Sequence, residues 1–372
     1  MKLTIERAAL LRSLAHVQSV VERRNTIPIL SNVLMEAKNG TLSLTATDMD
    51  LTIVEQTAAE VGGGGATTAP AHTLYDIIRK LPDGSQVGLS TQSDGGQIAL
   101  KAGRSSFSLA ALPREDFPAP GEVELPHTFS LAAKELQSLI DRTRFAISTE
   151  ETRYYLNGIY LHAGRQNDVP VLRAVATDGH RLARFEMPLP EGAAGIPGVI
   201  VPRKTVGEVR KLLDEAEGPV EVALSDSRIR ITVGRTVLTS KLIDGTFPDY
   251  ERVIPSGNDR IMNVDCKAFS QAVDRVSTIS TEKSRAVKLT LRPGTLILTA
   301  TSPEAGSAEE ELAVDYDGPA LEIGFNARYL LDIASQIEGE AAQFAMADAA
   351  SPTIMREVAD GSALYVLMPM RV

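Results

Sequence analysis

One short phrase occurs three times along this chain. Thr45-Ala46-Thr47-Asp48 returns as Val175-Ala176-Thr177-Asp178 and again as Thr299-Ala300-Thr301-Ser302. Asp48 and Asp178 lie 130 residues apart, and Asp178 and Ser302 lie 124 apart. A second marker agrees: Leu74-Tyr75-Asp76-Ile77 matches Leu330-Leu331-Asp332-Ile333 at an offset of 256, and Arg79-Lys80-Leu81 is echoed between them by Arg210-Lys211-Leu212. Solenoid repeats span roughly 20–50 residues, so a unit this long is a whole domain. A chain of 372 residues holds three such domains, each large enough to bury its own core.

Proline-rich stretches fall where the repeat places linkers. Pro113-Arg114-Glu115-Asp116-Phe117-Pro118-Ala119-Pro120-Gly121 follows the first copy, and Phe247-Pro248-Asp249-Tyr250 with Ile254-Pro255-Ser256-Gly257-Asn258-Asp259 follows the second. Proline blocks continuation of a preceding strand. The expected domains are 1–124, 125–254 and 255–372.

Within a copy the hydrophobic period switches between strand and helix. Lys2–Glu6 alternates as a strand, and Leu10, Leu11, Leu14, Val17 and Val21 then recur at helical spacing. Strands are expected at Leu30–Ala37, Thr41–Thr47 and Leu51–Thr57, with Asn39-Gly40 as a hairpin turn. The pattern restarts with a strand at Ala66–Ala71, a helix at Leu74–Leu81, and strands at Gln86–Thr91, Gln97–Ala102 and Ser106–Leu112. Gly62-Gly63-Gly64-Gly65 between the halves is expected to be a flexible tip. Ser130, Asp265 and Asn326 are expected helix N-caps, and Pro202 suits a first helical turn. Each domain is thus two strand-helix-strand-strand-strand halves. The fold class is α+β, with two helices on one side of two antiparallel sheets per domain.

Composition narrows the function. Hydrophobic residues are 43% and charged residues 23%, ordinary for a soluble globular protein. No apolar run reaches the roughly 18 residues of a membrane span, and Met1-Lys2-Leu3-Thr4-Ile5-Glu6 lacks a signal-peptide core. The single cysteine, Cys266, permits no intrachain disulfide, and the expected compartment is the cytoplasm. A net charge of −10 opposes tight electrostatic binding to phosphate if the charge is evenly spread. It is not. Basic residues gather in the expected helices and their flanks, namely Arg7, Arg12, Arg23, Arg24, Arg79, Lys80, Lys134, Arg142, Arg144, Arg203, Lys204, Arg210 and Lys211. Acids crowd elsewhere, as in Glu309-Glu310-Glu311. The helices also carry Asp76, Asp141, Asp214 and Glu215, so the bias is mild, and ordinary solvated helix faces account for it equally well.

Five further motifs occur in order: Arg153-Tyr154-Tyr155-Leu156-Asn157-Gly158, Ala176-Thr177-Asp178-Gly179-His180-Arg181-Leu182, Val201-Pro202-Arg203-Lys204, Phe247-Pro248-Asp249-Tyr250 and Tyr365-Val366-Leu367-Met368-Pro369-Met370-Arg371. Together they make the chain resemble the bacterial sliding clamps, the beta-subunit family of DNA polymerase III, over its whole length. The resemblance implies a head-to-tail homodimer whose six similar domains close a ring around double-stranded DNA, helices inside and sheets outside. Twelve helices about 10 Å wide would line a circumference of roughly 120 Å, which still admits a duplex. It implies no reaction, no cofactor and no metal. The implied partners are the alpha subunit of DNA polymerase III and other polymerases, a clamp loader, and mismatch-repair and ligase-type proteins.

By the same resemblance, partner peptides enter a pocket of Leu156, Thr177, Gly179, His180, Arg181, Leu182, Pro248, Arg252, Val253, Asn326, Tyr329, Pro352, Val366, Leu367, Met368, Pro369, Met370 and Arg371. Methionines suit a pocket that serves several partners, although apolar strand residues such as Val366 and Met368 are more often plain core. The resemblance places Arg24, Arg79, Arg153, Tyr154, Tyr155, Arg203 and Lys204 against DNA, where flat tyrosine faces could stack or simply be core. It places the dimer seam at Arg104, Phe107 and Leu109 of one copy against Thr278, Ile279 and Glu304 of the other. Thr278 stands where a larger aliphatic residue is expected, and His72-Thr73 replaces a basic pair; these departures bear on the strength of closure and not on its existence.

Other chemistries compete on the residues alone. Asp178 and His180 suggest a hydrolase dyad, but the first copy lacks Gly-His-Arg and the third has only Thr-Ser. No glycine-flanked serine of the elbow type accompanies them. A monomeric scaffold of repeated domains differs from the ring by mass alone. Cys266 beside the cap Asp265 is a small helix residue rather than a thiol nucleophile. His16, His72, His127, His162 and His180 show no metal-ligand spacing, and the glycine run lacks the Lys-Ser/Thr of a phosphate loop.

Overall fold

The computed structural model describes residues 1–91, 95–118, 121, 123–280 and 285–371. Within them one run of elements, a strand, a helix and three strands, occurs six times. The first copy holds β1 (Lys2–Glu6), α1 (Arg7–Gln18), β2 (Asn32–Lys38), β3 (Thr41–Thr47) and β4 (Leu51–Ala58). A short extra strand, β5 (Glu60–Gly63), leads to β6 (Gly65–Pro70), α2 (Ala71–Lys80), β7 (Gln86–Thr91), β8 (Gln97–Ala102) and β9 (Ser105–Ala110). The second copy has β10 (His127–Ala132), α3 (Ala133–Asp141), β11 (Gly158–Gln166), β12 (Val169–Thr177) and β13 (Arg181–Pro188). Its other half is β14 (Val199–Pro202), α4 (Arg203–Leu213), β15 (Pro219–Leu224), β16 (Arg228–Val233) and β17 (Thr236–Lys241). The third has β18 (Arg260–Asp265), α5 (Cys266–Ser277), β19 (Ala286–Arg292), β20 (Thr295–Ser302) and β21 (Gly306–Ala313), then β22 (Leu321–Asn326), α6 (Ala327–Ala334), β23 (Ala341–Met346), β24 (Thr353–Glu357) and β25 (Ala363–Leu367).

Local chemistry explains most boundaries. Asn39 and Gly40 both take positive φ, 50° and 73°, as a two-residue hairpin turn requires. Asp265 caps α5 by accepting from the Ala268 amide, and Asn326 caps α6 from the Arg328 amide. Along α5, Cys266, Phe269, Ala272, Val273 and Val276 are buried, the stripe a helix lays on a sheet.

Three local expectations fail. Ser130 lies inside β10 and caps nothing; the side chain of Glu135 folds back onto the Ala132 amide at 2.8 Å instead. Pro202 ends β14 one residue before α4, because the preceding strand pairing to β11 extends through it. The glycine run is not a loose tip. Gly63 pairs with Lys2 and Gly65 with Ala37. A Cβ on Gly65 would sit 3.1 Å from the Met1 nitrogen. In the first linker, Ala119 and Pro120 lie outside the described residues.

Two compact units emerge, and they cut across the repeats. The first comprises Met1–Gln137, Pro190–Pro197 and Lys204–Leu242, and the second Ser138–Leu189, Gly198–Arg203 and Ile243–Val372. The first unit contains a five-stranded sheet, β5-β1-β7-β8-β9, and an eight-stranded sheet, β10-β15-β16-β17-β4-β3-β2-β6. The second contains an eight-stranded sheet, β14-β11-β12-β13-β25-β24-β23-β18, and a four-stranded sheet, β21-β20-β19-β22. Each repeat contributes two antiparallel half-sheets, and half-sheets of neighbouring repeats fuse. In one unit β17 pairs with β4, and in the other β13 pairs with β25. Fusion satisfies backbone groups that two open edges would leave unpaired.

Candidate functional site

The repeated Thr-Asp phrase is a turn-forming device. Between β3 and β4, Thr47 Oγ1 donates to the Leu51 carbonyl at 3.0 Å and accepts from the Met49 amide at 3.1 Å. Asp48 Oδ1 accepts from the amides of Asp50 and Leu51. Between β12 and β13, Thr177 Oγ1 donates to the Arg181 carbonyl at 2.7 Å and accepts from the Gly179 amide at 3.1 Å. Asp178 Oδ1 accepts from the amides of His180 and Arg181. The third copy keeps a weaker form, Ser302 Oγ accepting from the Ala305 amide at 3.3 Å. These are the local side-chain to backbone bonds that threonine and aspartate favour in turns.

Asp178 is therefore committed. Its second oxygen meets Arg181 Nε at 3.1 Å, and among the described residues no hydrogen bond joins it to the His180 ring. That ring stacks with Tyr329 at 6.4 Å between centroids. The hydrolase alternative fails on this geometry, since a general base must be oriented by its carboxylate.

Beside the turn opens a cleft of about 260 Å³. Thr177, Gly179, His180, Arg181 and Leu182 form one wall. Arg153, Tyr155 and Leu156 come from the 3-10 helix Glu151–Leu156, and Pro248, Asp249, Tyr250 and Val253 from the segment after β17. Val366 of β25 and Met368 just beyond it complete the lining. The floor is apolar: Leu156, Leu182, Tyr250 and Val366 are buried in one cluster with Val175, Ile200 and Phe247. The rim exposes apolar surface, Val253 at 50% and Met368 at 41%. A buried apolar floor under an exposed apolar rim is the shape of a binding cleft rather than a finished core.

Gly179 keeps the cleft open. Its φ is +88°, and a Cβ there would lie 2.5 Å from Arg153 Nη1. Arg181 is fixed behind it, bonded to Asp178, Asp332 and the Phe145 carbonyl and lying 4.3 Å from the Tyr329 ring centroid.

Ten of the residues expected in the pocket thus converge: Leu156, Thr177, Gly179, His180, Arg181, Leu182, Pro248, Val253, Val366 and Met368. Eight do not line it. Arg252 is turned to solvent with Asp249. Leu367 is buried in the sheet opposite Arg181 and Thr353. The Met370 amide donates to the Gly324 carbonyl, Pro369 is half-buried beside it, and Arg371 is exposed. Asn326 is occupied as a helix cap, Tyr329 sits behind Arg181, and the Pro352 carbonyl accepts from Asn258. Asp249 and Tyr250 were missed, although the Phe-Pro-Asp-Tyr motif contains them. Arg153 and Tyr155, expected against DNA, also line the cleft.

Behind the wall lies a buried polar network. Arg173 of β12 donates to Glu186 Oε2 at 2.8 Å, to Glu251 Oε1 at 2.7 Å and to the Arg165 carbonyl at 2.7 Å, and reaches the Tyr250 hydroxyl at 3.4 Å. Tyr250 also meets His162 Nε2 at 2.9 Å. Burial lowers the pKa of His162, with the Arg173 charge acting the same way and the bond to the Ala163 carbonyl opposing it. Burial raises that of the Tyr250 hydroxyl.

Three family models match the chain in order: the N-terminal domain of the DNA polymerase III beta subunit over residues 1–120, its central domain over 130–249 and its C-terminal domain over 251–371. The chain belongs to the DNA polymerase III beta subunit family. Beta sliding clamps from Caulobacter vibrioides and Escherichia coli are 57% and 40% identical to it, each over 372 residues and all of both chains. A crystal structure of the C. crescentus beta sliding clamp with PEG in a putative beta-motif tethering region superimposes with a TM-score of 0.98 at 57% identity, covering 100% of this chain and 99% of that one. A Bartonella birtlesii sliding clamp bound to griselimycin gives 0.97 at 52% identity, covering all of both chains. The chain is a sliding clamp of DNA replication, a processivity factor and not an enzyme.

The other sites expected for a sliding clamp are placed as follows. Arg24 and Arg203 are exposed, with no ion pair among the described residues. Arg79 pairs with Asp76 at 3.2 Å and lies over the Tyr75 ring. Tyr154 is half-exposed. Lys204 is no free cation: its ammonium joins Glu22, Asp48 and the Val20 carbonyl. Phe107 and Leu109 lie on β9, an edge strand, with Arg104 exposed in the turn before it. Thr278 caps the end of α5 with Ile279 next to it, and Glu304 is exposed before the edge strand β21.

Cys266 is buried at the start of α5 and donates to the Ala334 carbonyl; burial raises its pKa, so it is not poised as a thiolate. Among the described residues no three metal-binding side chains converge. No described helix is long and apolar enough to cross a membrane.

Proposed function

We propose that two copies of the chain close into a ring around duplex DNA, and that the cleft beside Gly179 holds short peptide segments of the proteins the ring tethers. The observation that carries the second part is the cleft itself: an apolar floor of Leu156, Leu182, Tyr250 and Val366 beneath the exposed side chains of Val253 and Met368. One or two aliphatic or aromatic anchors would fill it, the usual arrangement of a hot spot. Its occupants are the DNA polymerase III alpha subunit and other polymerases, the clamp loader, and mismatch-repair and ligase-type proteins, all in the cytoplasm.

The ring reading draws on two of the edge strands, β9 and β21. Phe107 and Leu109 of one copy would face Thr278 and Ile279 of the other, with Arg104 near Glu304, closing edges that are otherwise aggregation hazards. The repeats 1–124, 125–254 and 255–372 are its six domains when doubled. A chain of net charge −10 grips phosphate weakly, so retention is topological, helped by exposed cations such as Arg24 and Arg203. Once loaded on nicked circular DNA the protein should survive high salt and leave when the circle is cut. Release from circles at the same salt as from linear DNA would instead indicate counterion-release binding.

The peptide reading is tested by titrating a labelled C-terminal peptide of the same organism's replicative polymerase against wild-type protein and Met368→Ala, with sedimentation in parallel. Weaker binding at unchanged dimer mass supports it. Unchanged affinity in a folded dimer moves the site elsewhere.

A further inference from the structure

One wall of the cleft has no sheet to hold it. The segment carrying Phe247 to Val253 follows β17 and forms only a single turn of 3-10 helix, Tyr250–Val253. Its own backbone bonds are local, from the Arg252 amide to the Asp249 carbonyl and from the Ile254 amide to the Glu251 carbonyl. The facing walls, by contrast, belong to or adjoin β13 and β25, which are hydrogen-bonded to each other. A wall without ladder bonds takes its position from side chains.

Those side chains converge on one residue. Arg173 is buried on β12, directly opposite Glu186 of β13, and the two form an ion pair at 2.8 Å. The pair fixes the guanidinium, and its remaining donors point at the wall: Nη1 reaches Glu251 at 2.7 Å and the Tyr250 hydroxyl at 3.4 Å. Nη2 is held by the Arg165 carbonyl. His162 fixes the last partner. Its Nδ1 lies 2.9 Å from the Ala163 carbonyl and so carries the proton, which leaves Nε2 as an acceptor for the Tyr250 hydroxyl. That hydroxyl then donates to His162 and accepts from Arg173, so both of its bonds have a defined direction. The Tyr160 ring, stacked on Phe247 at 4.8 Å, completes the support.

We infer that Arg173 is a positioning residue for the partner-binding cleft: from the same face of the sheet as Val175 and Thr177, beside the cleft floor, it holds Tyr250 and Glu251, and through them the wall formed by Pro248, Tyr250 and Val253. The inference rests on the peptide reading of the cleft. It touches no partner atom, so it acts on the fraction of molecules whose wall is already placed, and apparent affinity falls with that fraction.

The test uses the full chain as the dimer. Arg173→Met alone would strand Glu186 in the interior and can fail to fold. Three other variants avoid this: Glu251→Gln, which removes the charge of the outer arm; Tyr250→Phe, which removes the hydroxyl; and the paired Arg173→Met/Glu186→Met, which removes the ion pair as a unit and leaves Arg184, 3.8 Å from Glu186, as the remaining cation. The probe is the labelled polymerase C-terminal peptide, with Met368→Ala as the direct-contact control. Affinity is expected to fall about threefold for Glu251→Gln and about tenfold for Tyr250→Phe and for the paired variant. Amide exchange at Arg252 and Ile254 should accelerate in the same variants while dimer mass and melting temperature hold. A plain loss of stability would not confine faster exchange to this wall. Weak binding in Met368→Ala with wild-type affinity in all three variants overturns the inference and leaves the cleft standing. Wild-type affinity in all four overturns the cleft and the inference with it.

Discussion

Two hairpin turns, Thr47 to Leu51 and Thr177 to Arg181, are built from the same hydrogen bonds, yet only the second borders the apolar cleft proposed to hold partner peptides. The difference lies in two positions. Where the second has Gly179 at φ 88°, the first has Met49 at φ 79° with its side chain half-exposed. Where Asp178 is answered by Arg181 from within the same hairpin, Asp48 is answered by Lys204, reaching in from α4 and also held by Glu22. The two copies share the turn and differ in one side chain and in where the answering cation comes from. Identical local chemistry can therefore be architecture in one repeat and function in the next.

The largest expected effect separates the two cations. Arg181 is buried among Asp178, Asp332 and the Phe145 carbonyl, so Arg181→Met leaves unpaired charge inside and should cost about 3 kcal/mol of stability. Lys204 is a third exposed, and Lys204→Met should cost about 1 kcal/mol. Denaturant unfolding of both variants checks the ranking, and equal losses would remove the distinction between the hairpins.

Next is the open position. Gly179→Met copies the first turn into the second and should lower peptide affinity about tenfold or more, by filling the cleft and displacing Arg153. Met49→Gly should create no peptide binding, because the first turn has no counterpart of the exposed Met368 rim. Titration of both with the polymerase peptide decides this. Smaller still, Thr47→Val and Thr177→Val each remove one turn-locking hydroxyl, for about 1 kcal/mol apiece. Unequal losses would show that the turns are not equivalent.

The smallest effect is in pH. His16 is buried beside Glu55; burial lowers its pKa, but the Glu55 hydrogen bond and charge, with Glu215, outweigh this and raise it above 6.5. Its stabilising contribution is then complete below pH 6.5 and lost as pH rises through the raised value. His162 has the opposite sign. Its folded pKa lies below 6.5, so the unfolded chain takes up the proton first and stability falls as pH drops below 6.5 toward that value. Acidification should thus strengthen the surroundings of α1 and loosen those of Tyr250. Proton NMR titration of the two imidazoles, one midpoint above 6.5 and one below, tests both.

Much of this was legible in the sequence because it rests on local rules. The alternation of Thr41–Thr47, the Asn39-Gly40 turn and the caps Asp265 and Asn326 each depend on a few neighbouring residues. Leu156, Leu182 and Val366 of the cleft floor were legible through family motifs, while Tyr250 was not singled out. What escaped depends on distant pairing. Nothing near Gly62 to Gly65 announces that Lys2 and Ala37 will pair with it. Ser130 has the chemistry of a cap, but β10 takes its backbone into a ladder with β15. Tyr329 and Asn326 belong to the neighbourhood of the cleft but are held one layer back by Arg181 and the start of α6. Arg173 carries no motif at all; its role follows from standing opposite Glu186, a fact of register.

The fused sheets also set the order of events during synthesis. Leu51 pairs with Ser240, 189 residues later, and Leu182 pairs with Val366, 184 residues later. A repeat emerging from the ribosome cannot complete its sheet alone; β4 and β13 wait with one edge bare until a much later strand arrives. Such non-local pairing slows folding and lengthens exposure of the edge. A single repeat expressed by itself would keep that edge for good, so the cooperative unit in folding is larger than the unit that evolution duplicated.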